Sequence, residues 1–164
     1  MGRILLGIVV GLLAISASAT EPNVPVKGLA QPPTYVDVNG RVLGPLFGDY
    51  DVLLRLDQFS IVVTMSGGTW YQETPVIFAE PGCSGTAYSY SEPSPEVTRG
   101  IVAAGPLEGQ FTLYVLGDRG EVVTTSSFLW DGACSDYPPV QEMAWPVIRT
   151  YELTYMFQPP FRIR

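Results

Sequence analysis

The sequence predicts an all-β chain: a single antiparallel β-sandwich or small barrel, closed by one disulfide and preceded by a cleaved signal peptide. Three observations carry this reading. After the first nineteen residues no segment shows the apolar spacing of a helix, whereas some nine short runs alternate apolar and polar residues between turn sequences. The 17 glycines and 15 prolines among 164 residues supply turns without reaching a low-complexity composition. The two cysteines, Cys83 and Cys134, lie in turn-like settings, EPGCSG and WDGACSDYP.

The N-terminus, MGRILLGIVVGLLAISASA, joins Arg3 to an apolar run from Ile4 to Ile15 and the small-residue site Ala17-Ser18-Ala19. A transmembrane anchor needs about 20 apolar residues, and this run is well short of that. Residues 1–19 therefore read as a signal peptide, 20–33 as an extended Pro-containing linker and 34–164 as one β domain. Export to the periplasm or the extracellular space is the expectation, with no membrane insertion after cleavage. An even cysteine count in such a compartment reads as a Cys83–Cys134 disulfide. Two cysteines with no His and no CxxC spacing make a poor metal site, so no metal or other cofactor is expected.

Along the domain, Tyr35–Val38 and Arg41–Leu46 flank Asn39-Gly40, a pair that favours a tight hairpin. Val52, Leu54 and Leu56, then Phe59, Ile61, Val63 and Met65, alternate about a turn at Asp57-Gln58 and predict a second hairpin with one buried face. Shorter apolar runs lie at Thr74–Ala79 and Ile101–Ala104. Phe111, Leu113 and Val115 form a strand that reaches Gly117-Asp118-Arg119-Gly120 and returns as Glu121–Trp130, with a bulge expected near Ser126-Ser127. Tyr151, Leu153, Tyr155 and Phe157 alternate as a late strand. The loop SYSEPSPE, residues 89–96, is the stretch least expected to be ordered. VIFAEPGCSG (76–85) and SFLWDGACSD (127–136) echo each other; two disulfide-bearing strand ends look alike on their own, and a duplicated half-domain is the alternative.

The segments VDVNGRVLGPLFG, VLLRLDQFSIVV, VIFAEPGCSGTAY and YVLGDRGEVVTTSSFLWDGAC cover most of residues 34–134. In them, and in the terminal QPPFRIR, the chain resembles a loosely defined group of exported bacterial β-rich proteins of unknown function. The shared pattern consists of turn glycines, strand alternation and a cysteine pair. The resemblance implies a β fold and supplies no catalytic residue.

Composition removes several function classes. With no His, every Ser-His-Asp or Cys-His nucleophile is excluded. Losing Arg3 with the signal leaves eight basic residues against sixteen acidic ones, and a surface of that sign repels nucleic acid and anionic lipid. Asp49, Asp51 and Asp57, with Asp37 or Asn39 nearby, could serve as an acid pair or a calcium site. Their positions at strand ends fit solvated turn residues better, so no catalytic residue is assigned. The nineteen aromatics are more informative. Trp70 and Tyr71 follow the flexible Ser66-Gly67-Gly68, while Tyr88 and Tyr90 alternate with Ser89. As ligand-binding residues these four would offer stacking area to a glycan or another extracellular protein. The alternative places Trp70 on the disulfide and the tyrosines over a sheet face. A non-catalytic role in binding, adhesion or extracellular structure is thus expected. A small acid-dependent polysaccharide hydrolase, or a secreted inhibitor presenting the 89–96 loop, is the runner-up.

Overall fold

The computed structural model describes residues 32–93 and 97–164. The expected signal peptide, nearly all of the expected linker and part of the 89–96 loop lie outside them. Among the described residues the chain forms twelve strands: β1 Thr34–Val36, β2 Val42–Phe47, β3 Asp51–Leu56, β4 Phe59–Ser66, β5 Thr69–Trp70 and β6 Val76–Glu80, then β7 Ser84–Ser89, β8 Thr98–Ala104, β9 Phe111–Leu116, β10 Glu121–Trp130, β11 Ala133–Glu152 and β12 Arg162–Ile163. A single 3-10 turn, Leu153–Tyr155, interrupts them.

All strands belong to one sheet, ordered β10-β6-β7-β11-β9-β8-β4-β3-β2-β1-β12, with β5 attached to β4. At one end the pairings β10–β6, β6–β7, β7–β11 and β11–β10 close a ring of four antiparallel strands. The sheet is not wholly antiparallel: β4 and β8 run parallel, with Ile61 opposite Thr98. Strands β9 and β10 do not return on each other as their turn glycines suggest. Instead β11 lies between them, pairing with β10 through its first part and with β9 through its last.

Strand alternation builds three cores. Val52, Leu54, Ile61 and Val63 are fully buried on the expected face of the β3–β4 hairpin, where they meet Leu113 and Val115. In β8, Val102 joins this first core, while its neighbours Ile101 and Ala103 point to a second with Leu116, Val76 and Phe78. Between Val76 and Phe78, Ile77 faces the opposite way into a third, with Val123 and Ala144. Strands β8 and β6 are therefore apolar on both faces, as their uninterrupted apolar runs require.

The late strand is a correction. Glu152 ends β11; the 3-10 turn follows, and the amides of Met156 and Phe157 both donate to the Leu153 carbonyl, as in a helical turn. Leu153 and Phe157, four residues apart, reach the first core from one side of this turn, whereas Tyr155 is 85% exposed. A spacing of four satisfies strand alternation and a helical turn alike.

The expected bulge is present. Thr125 faces Val140 and Ser127 faces Asp136, so three residues of β11 stand opposite Ser126 alone. The echoing segments 76–85 and 127–136 lie side by side in the ring, their strands paired antiparallel. Ile77 pairs with its own counterpart Phe128, and Cys83 is bonded to its counterpart Cys134 with Cα atoms 5.9 Å apart.

Candidate functional site

Three connections converge at the edge between the first and second cores: the link from β5 to β6, the ends of β8 and β9, and the turn from β10 to β11. Between them lies a cleft of about 270 Å³. Its aromatic lining comes from Trp70, Tyr71, Phe111 and Trp130, its polar lining from Gln72 and Asp131.

Trp70 anchors one wall. It is only 5% exposed, with Phe161 edge-on at 4.6 Å between ring centroids and Phe157 at 6.3 Å. It packs on these rings rather than on the disulfide, because the chain's C-terminal segment folds back so that the Phe161 amide donates to the Gly68 carbonyl at 2.6 Å. Its indole N–H has no partner among the described residues. The next residue, Tyr71, is half exposed.

Gln72 fixes this wall to the other. Its Nε2 donates to the carbonyls of Thr74 (3.1 Å) and Leu129 (2.9 Å), and its Oε1 accepts the Asp131 amide at 3.1 Å. The Trp130 turn is held from beneath as well. Gly132 has a φ of +74°, and a Cβ there would lie 2.9 Å from the Gly105 carbonyl oxygen, so only glycine lets the turn sit this close to the β8–β9 loop. The cleft is thus built before any ligand arrives.

Tyr71 also borders a second cleft of about 550 Å³, lined by Asp49, Tyr50, Asp51, Thr64 and Glu73 among others. Here Asp51 accepts the Thr64 hydroxyl at 2.7 Å, and Glu73 is paired with Arg99. Asp37 caps the β1–β2 turn, its Oδ1 accepting the amides of Asn39 and Arg41 at 2.9 and 2.8 Å. Among the described residues no three His, Cys, Asp or Glu side chains come together to hold a metal ion.

Tyr88 and Tyr90 do not line the cleft that Trp70 and Tyr71 share. Tyr88 is half-buried against the third core. Tyr90, just beyond β7, donates its hydroxyl to Glu142 at 2.6 Å. Glu142 is a hub, since its other oxygen accepts the Thr125 hydroxyl, to which Tyr137 donates at 2.6 Å. Burial, followed by the hydrogen bond and charge of Glu142, raises the Tyr90 phenol well above its ordinary range.

Of the four aromatics singled out in the sequence, Trp70 and Tyr71 line this cleft, and Gln72, Phe111, Trp130 and Asp131, which were not singled out, line it with them. One signal was available. Trp130-Asp131-Gly132 places an aromatic at the mouth of a turn, as Gly67-Gly68-Thr69-Trp70 does. Comparison with family models, with curated proteins and with solved structures returns no match to this chain.

Proposed function

We propose that this chain is an exported, non-catalytic binding domain, of the bacterial group that its motifs resemble, whose ligand seats in the cleft between Tyr71 and Trp130. The observation that carries the reading is the cleft's construction. Two partly exposed aromatics face solvent across a floor fixed by the three hydrogen bonds of Gln72. Preorganised aromatic walls lose little entropy on binding and contribute area efficiently. The disulfide supports an oxidising compartment.

Trp70 and Trp130 both border the cleft, so occupancy should change the intrinsic fluorescence of the protein. Titration with soluble polysaccharides and with synthetic peptides should give a saturable change for one class. Replacing Trp130 by Ala should abolish that change while leaving the thermal midpoint nearly unaltered. A panel in which the wild type and the Trp130→Ala variant respond identically would sink the reading.

A further inference from the structure

We propose that the cleft receives a positively charged side chain, lysine or arginine, from an extended basic segment of a partner polypeptide. This rests on the reading of the cleft as the binding site, and it assigns the ligand's chemistry.

The lining favours a cation. A neutral sugar would find few free donors for its hydroxyls, because both Gln72 nitrogen donors are engaged by carbonyls and its oxygen accepts the Asp131 amide, which leaves the buried Trp70 indole N–H and the Tyr71 hydroxyl. The charged group on the lining is the Asp131 carboxylate, an acceptor set beside aromatic faces. Aromatic faces attract ammonium and guanidinium groups through the ring quadrupole.

The protein already uses this contact elsewhere. The Arg41 guanidinium lies 5.1 Å from the Phe157 ring centre and that of Arg149 lies 5.7 Å from the Tyr151 ring centre. Trp130 and Tyr71, though 40% and 50% exposed, carry no such cation among the described residues.

Size and surroundings favour a peptide side chain over a larger ligand. A volume of about 270 Å³ falls below the roughly 300–1,000 Å³ of small-molecule pockets. Across Tyr71 the second cleft offers Asp49 and Asp51, and neither lining contains a lysine or arginine. A cleft on β2 and β3, by contrast, carries its own Arg41 and Arg55 beside Asp57. A chain crossing Tyr71 would thus place one cation against Trp130 and Asp131 and a second against Asp49 and Asp51. The net charge of −7 steers such a segment towards the protein.

The test uses the purified protein and a labelled peptide, acetyl-Gly-Arg-Gly-Arg-Gly-amide, followed by fluorescence anisotropy at low ionic strength. The peptide should bind saturably, and its citrulline counterpart, equal in shape but neutral, should not. Trp130→Ala should weaken binding by about three- to thirty-fold. Asp131→Asn should weaken it by about two- to five-fold. Asn tolerates the positive φ of 49° at that position, so the turn survives the change. Glu121→Gln, outside both clefts, should change nothing. Equal binding of the arginine and citrulline peptides, or equal losses in Glu121→Gln and Asp131→Asn, would overturn the cation assignment. Binding of choline without binding of the peptide would overturn the basic segment as the ligand while sparing the cleft as a cation site. A soluble polysaccharide that saturates the cleft and is lost in Trp130→Ala would overturn the cation while sparing the cleft as a site. Peptide binding unaffected by Trp130→Ala would overturn both.

Discussion

Trp70 and Trp130 border one cleft, yet they stand on opposite sides of the line between core and surface. Trp70 is enclosed by Phe157 and Phe161, whereas Trp130 ends its strand with 40% of its area in water. Truncating a buried aromatic costs about 3–5 kcal/mol, and an exposed substitution usually shifts stability by no more than about 0.5 kcal/mol. Trp70→Ala should therefore lower the urea midpoint severely or prevent folding, and Trp130→Ala should hardly move it. Equal midpoints for the two variants would contradict this placement. That Trp70 follows a flexible glycine turn was legible in the sequence; its burial was not. The residues that bury it arrive from the last eight positions of the chain, and no local pattern announces a contact across such a separation.

At the scale of the element, β11 is the strand that sequence patterning failed to show. Its Pro138, Pro139 and Pro146 cannot donate to a ladder, so the stretch shows no uninterrupted strand pattern. Each sits at a break or at the end of a ladder. Pro138 and Pro139 fall in the three-residue bulge opposite Ser126, and Pro146 lies where the strand changes partner from β7 to β9. The β3–β4 hairpin, by contrast, was legible in full, since its turn chemistry and its buried face both come from neighbouring residues. Beside the bulge, Glu142 ties β11 to β10 and to the segment after β7, accepting hydroxyls from the wholly buried Thr125 and from Tyr90. Glu142→Ala would leave the Thr125 hydroxyl without that acceptor, at a cost of about 1–3 kcal/mol. Glu142→Gln retains an acceptor oxygen and should cost less. Thermal melts of the two variants give the comparison, and an alanine variant as stable as the wild type would show that the hub contributes nothing to folding.

For the whole molecule, the layering of three cores was legible only in fragments. The short apolar runs at Thr74–Ala79 and Ile101–Ala104 were legible as strands, but that both their faces are covered, and which face meets which core, is decided by the long-range order of the sheet. Composition has a more direct consequence. The chain has no His, a single lysine at position 27, and both cysteines in the disulfide. Between the carboxylates and the arginines, its side-chain titration thus falls almost entirely to tyrosine. Four tyrosines, Tyr90, Tyr114, Tyr137 and Tyr151, have their phenol pKa raised, first by burial and then by the carboxylates beside them: Glu142 for Tyr90 and Tyr137, Glu152 for Tyr114, Asp57 for Tyr151. A raised pKa means that the folded protein holds the proton more tightly than the unfolded chain. The associated stability is complete below the unfolded value of about 10 and is lost as pH rises through the folded values. The thermal midpoint should accordingly be nearly constant from about pH 6 to 9 and fall steeply above about pH 10. Replacing Tyr90 by Phe removes one of the ionising groups and should flatten that alkaline fall, although it also deletes the hydroxyl bonded to Glu142. An alkaline slope unchanged in Tyr90→Phe would mean that this phenol ionises as freely in the folded protein as in the unfolded chain.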